Sequence, residues 1–466
     1  MIRRLLAEHG PTVLVATLAS AFGVALLQVT GYLGSAIRAD DVTGESGTAA
    51  IMLQIAAWVF IVIAIYVSAV VTSNTVATVV AGRTRLIALL RLIGSSARAQ
   101  RAAIAREGLV VGAIGAVAGV LVGTGAAIAL SELAIATDVL PRVEHQWADA
   151  AVLPPAIVAA LTTWLAAWVG SRRVLAVRPA QALGNATESS RDELAARHGR
   201  TVAAGVLAGV GVLLLLGGVA LGLVTPLGVL VGLLGGVLSF TGVVLGAHVV
   251  MPPVLRLVGR ALGSSAPARL AAENAVRHPE RSSRMTIGLV IGVTLVTMFA
   301  VAMESYRTLL LAATEDRPEM REGIDEIIAG TVSVFSILVG FSALIAAIGL
   351  VNTLSLSVLQ RTRELGLLRA LGFERRQLRA MVIAEAAALT AAATVTGLVL
   401  GVFYGWAGAQ SMLGSVQGEP LVILPSIPWG VVAALVGAAA VLTVVASLAP
   451  ARRATRVSPV TALAVE

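Results

Sequence analysis

Arginine dominates the side chains of this protein that could do chemistry: all 34 basic residues are Arg, and lysine is absent. The arginines come in two matching sets. Residues 74–107 reappear at 352–385 with a constant shift of 278 and 14 of 34 positions identical. The first copy carries Asn74-Thr75, Arg83-Thr84-Arg85, Leu89-Leu90-Arg91, Gly94, Arg98, Arg101, Ala102 and Glu107. The second carries Asn352-Thr353, Arg361-Thr362-Arg363, Leu367-Leu368-Arg369, Gly372, Arg376, Arg379, Ala380 and Glu385. A further echo, at a shift of 280, matches Arg172-Arg173, Val177, Pro179 and Ala182-Leu183 with Arg452-Arg453, Val457, Pro459 and Ala462-Leu463. So little slippage means two copies of one structural unit.

Several chemistries are excluded by composition. A phosphate-binding P-loop ends in Gly-Lys-[Ser/Thr], and a chain without lysine has none. Gly44-Glu45-Ser46-Gly47-Thr48 is loop-like but lacks the lysine and reads as a connector. Nucleotide hydrolysis therefore belongs to another chain, and no ATP or Mg is expected to bind here. Cysteine is absent, which removes disulfides, thiolate catalysis and Cys-based metal sites. His9, His145, His198, His248 and His278 are scattered, with no metal-ligand spacing and no Ser-His-acid set. No metal site and no catalytic residue is expected.

The elements that must position the arginines are membrane helices. Hydrophobic residues make up 57% of the chain and charged ones 13%, against about 45–50% and about 25% in soluble domains. Ten stretches reach the ~20 residues that span a bilayer: 11–36, 51–80, 109–131, 153–170, 202–223, 227–251, 286–304, 328–356, 381–407 and 428–449. The fifth and sixth are joined at Thr225-Pro226 as a helical hairpin. With a cytoplasmic N-terminus, 29 arginines fall on the inner side, and only Arg38, Arg142, Arg307, Arg317 and Arg321 lie outside among 14 acidic residues. This positive-inside asymmetry puts both termini in the cytoplasm. The net charge of +8 is then topogenic, with attraction to anionic lipid head groups, and nucleic acid is not an expected partner.

The repeats contain further matched residues. Glu107 and Glu385 sit where a span begins. An ionisable group at membrane depth is a functional candidate, but in a helix's first turn a carboxylate favours the dipole, which is the reading adopted. Asn74 and Asn352 fall within the inner ends of long spans and are expected to bond between helices. Gly119-x-x-x-Gly123 and Gly397-x-x-x-Gly401 also recur at the 278 shift and predict close helix packing. Trp147, Trp406 and Trp429 read as interface anchors.

The second copy carries the most specific motif: Gln360-Arg361-Thr362-Arg363-Glu364-Leu365-Gly366-Leu367-Leu368-Arg369-Ala370-Leu371-Gly372. Leu365, Leu367-Leu368 and Leu371 make an apolar stripe at helical spacing, and Gly372 is placed to end the helix in a left-handed conformation. Such a helix could be an interfacial amphipathic loop with topogenic arginines, or a docking element for a cytoplasmic partner. The motif resembles that of FtsX/MacB-type (type VII) permeases of ATP-binding-cassette (ABC) systems, in which a long helix leaves the membrane before a Glu-[Leu/Ile]-Gly-x-x-[Arg/Lys]-Ala-[Leu/Ile]-Gly coupling element. Asn274 to Ser282 resembles that family's amphipathic elbow, and Ala449 to Leu463 its C-terminal close. In the first copy Leu86 and Ala88 replace Glu364 and Gly366, a departure that leaves docking there with altered contacts.

The resemblance implies an all-α polytopic membrane protein built as 4 + 2 + 4. Residues 1–184 would form the first four-helix repeat, 185–264 a linker with a two-helix hairpin, and 265–466 the second repeat, both repeats pointing the same way. It implies a permease subunit of an ABC exporter in the bacterial plasma membrane, driven by two copies of a cytoplasmic ATPase that holds ATP and Mg. The coupling residues would be Arg83, Arg85, Arg91, Gly94, Arg361, Arg363, Glu364, Gly366, Arg369 and Gly372. Many family members carry a large extracytoplasmic domain, but here the outer loops 37–50 and 305–327 are too short to build a core. The acidic 305–327 segment reads either as a helical extension or as a solvated linker. A lipophilic or amphipathic substrate reaching the outer leaflet is expected. Alternatives are mechanical signalling to an extracytoplasmic partner and, from another class, an ion-driven secondary transporter; the latter is disfavoured by spans with almost no mid-span charge.

Overall fold

The structure, a computed structural model, describes residues 2–39, 84–137, 141–147, 152–172, 191–261, 279–313, 372, 374–415 and 418–456, with isolated positions between 55 and 73. Among the described residues the regular structure is entirely helical. This follows from an apolar chain whose backbone polar groups must be bonded within each segment.

Ten helices are described. They are α1 (Ile2–Ala39), α2 (Thr84–Leu92), α3 (Ala97–Ala136), α4 (Leu153–Gly170) and α5 (Arg191–Gly222). The rest are α6 (Gly228–Leu245), α7 (Ala247–Ala261), α8 (Pro279–Ala313), α9 (Arg375–Leu413) and α10 (Trp429–Arg456). Six of them, α3, α4, α5, α6, α8 and α9, contain stretches long and apolar enough to cross a membrane, and shorter apolar stretches lie in α1 and α10. Eight of the ten expected spans thus fall on described helices. The expected span 328–356 lies outside the described residues, and of 51–80 only scattered positions are described, all helical.

Two boundaries differ from expectation. The span expected at 227–251 breaks at Gly246: α6 stops at Leu245, and Gly246 N–H bonds back to the Gly242 carbonyl at 2.8 Å. The separate helix α7 follows, with Pro252 and Pro253 inside it and Met251 and Leu255 buried. The expected elbow is described only from Pro279, which opens α8 as a first-turn proline can. Residues 305–313, the start of the acidic outer segment, extend α8; the rest of that segment lies outside the described residues.

The chain divides into two compact units, residues 1–188 with 310–341, and residues 189–309 with 342–466. In the first, α3 packs against both α1 and α4. In the second, α9 packs against α10 and against α5, α6 and α7. The α5–α6 hairpin is held by glycines facing glycines: a Cβ at Gly218 or at Gly235 would strike the opposing backbone. Its turn is fastened by Gly228 N–H to the Thr225 carbonyl at 3.1 Å. The hairpin joins α9 through the Ser239–Tyr404 hydroxyl pair at 2.9 Å, with Phe240 edge-on to Tyr404.

Candidate functional site

The arginine-bearing segment of the first copy is a short helix, a tight turn and the start of a long helix. α2 buries Ile87 and Ala88 and exposes Leu89, Leu92 and Ile93. It ends in a Schellman motif, with Ser95 N–H to the Leu90 carbonyl at 2.9 Å and Gly94 N–H to the Arg91 carbonyl at 3.2 Å. Gly94 holds φ +100°, which a residue with a Cβ adopts only at a cost. Ser96 then caps α3, its hydroxyl accepting from Ala99 N–H at 3.1 Å.

The second copy repeats this turn at the same 278-residue shift. Gly372 holds φ +97°, Glu374 takes the place of Ser96, and α9 starts at Arg375 as α3 starts at Ala97. The cap backbones agree, with φ −74° and ψ 149° at Ser96 against φ −70° and ψ 154° at Glu374. Here the cap is a capping box, with Glu374 N–H donating to Gln377 Oε1 at 2.9 Å. Arg85 and Arg91 lie on α2. Arg83, Arg361, Arg363, Glu364, Gly366 and Arg369, with Asn74 and Asn352, lie outside the described residues. In the first unit α3 is tied to α4 by Arg101, which donates to the Trp168 carbonyl at 3.2 Å and stacks 4.8 Å above its ring. Arg172 approaches the same ring at 5.7 Å.

Each long helix carries a strip of small residues that seats a neighbouring helix. On α3, Gly108 and Gly112 abut α4, while Gly115, Gly119 and Gly123 abut Ala16, Ser20 and Ala21 of α1. On α9, Gly397, Gly401 and Gly405 abut Val293, Thr297 and Met298 of α8. A Cβ at Gly123 would come within 2.6 Å of the Ala21 carbonyl, and one at Gly401 within 2.8 Å of the Thr294 carbonyl. The expected packing role of Gly119, Gly123, Gly397 and Gly401 therefore has a defined register, in which Ala21 corresponds to Thr294 and Val24 to Thr297.

Both units bury polar groups among their helices. In the first, Ser20 donates across the seam to the Ala116 carbonyl at 3.2 Å, while the Ser131 hydroxyl and Gln28 Oε1 are buried with no hydrogen-bond partner. In the second, the hydroxyls of Thr294 and Thr297 on α8 and of Thr390 and Thr394 on α9 are buried with no hydrogen-bond partner. Leaving such a group unbonded costs about 1–3 kcal/mol. No sequence motif singled out these threonines; the register that relates them to apolar residues needs the packed helices.

At the opposite ends of the helices, loops fold back onto the bundle. Gln28 donates to the Trp147 carbonyl at 2.8 Å, Tyr32 donates to the Pro141 carbonyl at 2.8 Å, and the Tyr32 and Trp147 rings stack at 5.8 Å. His145 stands edge-on to Trp147 at 4.8 Å. In the second unit Gln410 clamps the loop twice, donating to the Leu421 carbonyl at 2.7 Å and accepting from Ile423 N–H at 2.6 Å. Trp406 donates to the Ile423 carbonyl at 2.8 Å. Trp147 and Trp406, expected as interface anchors, thus clamp loops, whereas Trp429 is exposed at the start of α10. Gln28 and Gln410 were missed as sequence signals, although a buried amide in an apolar helix is itself one.

Glu107 and Glu385 require a correction. They were expected in a first turn, but α3 begins at Ala97 and α9 at Arg375. Each carboxylate therefore lies about three turns inside its helix, beyond the reach of the terminal dipole. Among the described residues no three His, Cys, Asp or Glu side chains gather as a metal site, and no charged side chain is buried.

Comparison with known proteins matches this duplicated geometry to one family. The family described as FtsX-like permease C-terminal matches residues 58–179 and again 336–459, together more than half the chain, and the two matches start 278 residues apart. The hairpin lies outside both. An uncharacterized ABC transporter permease of Bacillus subtilis, YknZ, is 30% identical over 148 residues, 32% of this chain and 35% of the relative. The macrolide export ATP-binding/permease protein MacB of Rhodopirellula baltica is 31% identical over 153 residues, 32% of this chain and 21% of the relative. The pyoverdine export ATP-binding/permease protein PvdT of Pseudomonas entomophila is 32% identical over 143 residues, 30% of this chain and 19% of the relative. The chain thus spans no more than 35% of the length of these relatives. With two family matches on two copies of one helical unit, the chain belongs to the FtsX-like permease family and is a membrane-embedded permease of the ABC transporter type.

Proposed function

We propose that the protein is the permease of an ABC exporter in the bacterial plasma membrane, with both termini cytoplasmic. Two copies of a separate cytoplasmic ATPase drive it and hold the ATP and Mg. The observation that carries this reading is the recurrence of one turn, Gly94 at φ +100° and Gly372 at φ +97°, at the start of two long unbroken helices. α3 has 40 residues and α9 has 39; at 1.5 Å per residue each is a lever of roughly 60 Å. A push on the segment before the turn travels along such a helix as a rigid body. In the first copy the docking face is Leu89, Leu92 and Ile93, flanked by Arg85 and Arg91. Residues 361–369 serve in the second copy, through Arg361, Arg363, Glu364, Gly366 and Arg369.

The cargo is lipophilic or amphipathic, since the bundle buries no charge among its described residues. Transport is favoured over mechanical signalling because the 141–147 loop is tied down on α1, leaving little for an outside partner to grip.

The test is affinity purification of the tagged chain from its native membranes together with any ABC ATPase that binds it. Detergent-solubilised complex should hydrolyse ATP, and Arg369→Glu should cut turnover at least tenfold. Arg91→Glu should have a smaller effect, because the first copy lacks the Glu-x-Gly pair. Failure to co-purify an ATPase, or unchanged turnover in both variants, overturns the proposal.

A further inference from the structure

We infer that the arginine-bearing end of the α3–α4 pair holds one anionic phospholipid, its phosphate between Arg101 and Arg172 and an acyl chain along the outer face of α4. The ring of Trp168 gathers the site: the Arg101 guanidinium lies 4.8 Å from its centroid and that of Arg172 5.7 Å. Both charges are thus within reach of one ligand, and an anion shared by them relieves their repulsion. Among the described residues neither arginine pairs with a carboxylate. The Trp168 carbonyl accepts from Arg101 at 3.2 Å and from the Ser171 hydroxyl at 2.8 Å, so the end of α4 satisfies one N–H of Arg101. Arg101 Nε has no partner, and the exposed Arg172 meets the ring alone among the described residues. Guanidinium N–H groups left free in this way match a phosphate.

The outer face of α4 makes the ligand a lipid and not a free anion. Leu161, Trp164, Leu165 and Trp168 recur at helical spacing along that face and are 51, 39, 50 and 40% exposed; Arg172 follows just past the helix end. An apolar stripe therefore runs into the cationic pair, with an indole at the junction, where tryptophans of the membrane interface stand. A free phosphate would use the arginines and leave the stripe bare. Phosphatidylethanolamine brings an ammonium group that two arginines repel, so the fit is to a headgroup of net negative charge, such as phosphatidylglycerol. The second copy has the matching arginines, Arg379 and Arg452, but at the 280 shift Leu448 stands in the place of Trp168. The site therefore belongs to the first unit.

Only the name of the leaflet, cytoplasmic, rests on the topology proposed above. The full chain, purified in detergent, is titrated with dioleoyl-phosphatidylglycerol, and bound lipid is counted by native mass spectrometry. The double variant Arg101→Gln, Arg172→Gln should weaken the tightest site at least tenfold, and Trp168→Leu, which changes no charge, at least threefold. The double variant Arg379→Gln, Arg452→Gln removes the same charge from the other copy and should change binding less than twofold. Dioleoyl-phosphatidylethanolamine should bind the native chain and all variants alike. Equal losses in the two double variants would reduce the arginines to general surface charge and overturn the inference. Full binding by Trp168→Leu overturns it too, as does displacement of the lipid by inorganic phosphate at equal concentration. Should the first double variant fail to fold, Arg172→Gln alone, at an exposed residue, is expected to weaken binding at least threefold, and unchanged binding there is equally fatal. ATP turnover is not read, so a failure of ATPase coupling leaves this result standing.

Discussion

At the residue scale, glycine does two separate jobs in this protein. At Gly94 and Gly372 it supplies a backbone conformation, with φ near +100°. At Gly119, Gly123, Gly397 and Gly401 it supplies absence, letting a neighbouring backbone or side chain lie where a Cβ would be. The two jobs predict different responses. Gly94→Ala should cost about 1–2 kcal/mol of left-handed strain, and Gly94→Asn less, read as the loss in thermal unfolding temperature of the detergent-solubilised chain. Gly401→Ala should cost about 1–3 kcal/mol through overpacking against Thr294 and Thr297. Gly408→Ala, where a Cβ meets nothing within 4 Å, should be neutral or stabilising by up to ~1 kcal/mol through helix propensity. Equal losses at 401 and 408 would refute the packing account. Both jobs were legible from repetition alone, because a glycine kept at the same offset in two copies needs a shared cause. Which job each does was legible at Gly372, which ends an apolar helical stripe, and at the two GxxxG pairs; the neighbour each packing glycine touches was not, since clearance is a property of the folded chain.

At the scale of elements, buried amides on the long helices fasten the loops 141–147 and 418–428. Gln410 makes two hydrogen bonds to its loop, to Leu421 and Ile423. Gln28 makes one to Trp147 through its nitrogen, and its oxygen is buried without a partner. Gln410→Leu should therefore loosen residues 418–428 more than Gln28→Leu loosens 141–147, by roughly one further bond at about 0.5–1.5 kcal/mol. Limited proteolysis of reconstituted protein measures this as cleavage rate in each loop, and faster cutting at 141–147 in Gln28→Leu would reverse the ranking. The α5–α6 hairpin depends on similar small contacts with α9. Tyr404→Phe removes the hydroxyl pair with Ser239 and should lower stability by about 1 kcal/mol without altering helix content measured by circular dichroism. The hairpin was foreseen from its turn residues. Its attachment to α9 was not, because Ser239 and Tyr404 are 165 residues apart and neither belongs to a motif.

At the scale of the whole molecule, orientation is the proposal most directly open to test. With the Gly94 turn in the cytoplasm, a membrane-impermeant maleimide applied to intact cells should label Gln146→Cys and spare Ser95→Cys until the cells are opened. Labelling of Ser95→Cys from outside would invert the topology and remove the ATPase from the segment proposed to receive it. The same inversion would contradict the charge asymmetry, which rests on 29 of 34 arginines falling on one side.

By itself, the amino-acid order determined that this protein crosses a membrane repeatedly, that it is built from one unit written twice, and that no lysine-dependent nucleotide site exists in it. Those conclusions need only hydropathy, periodicity and composition, all local or additive along the chain. Only the tertiary structure decided that α1 and α8 are equivalent partners of the two long helices, since their sequences share no visible motif and their register appears through what each glycine touches. It also decided which polar groups the packed helices leave without a partner, such as Gln28 and Ser131 in one unit and four threonines in the other, among the described residues. A threonine in an apolar helix looks the same in sequence whether its hydroxyl is satisfied or stranded, and the difference arises from which surfaces close over it.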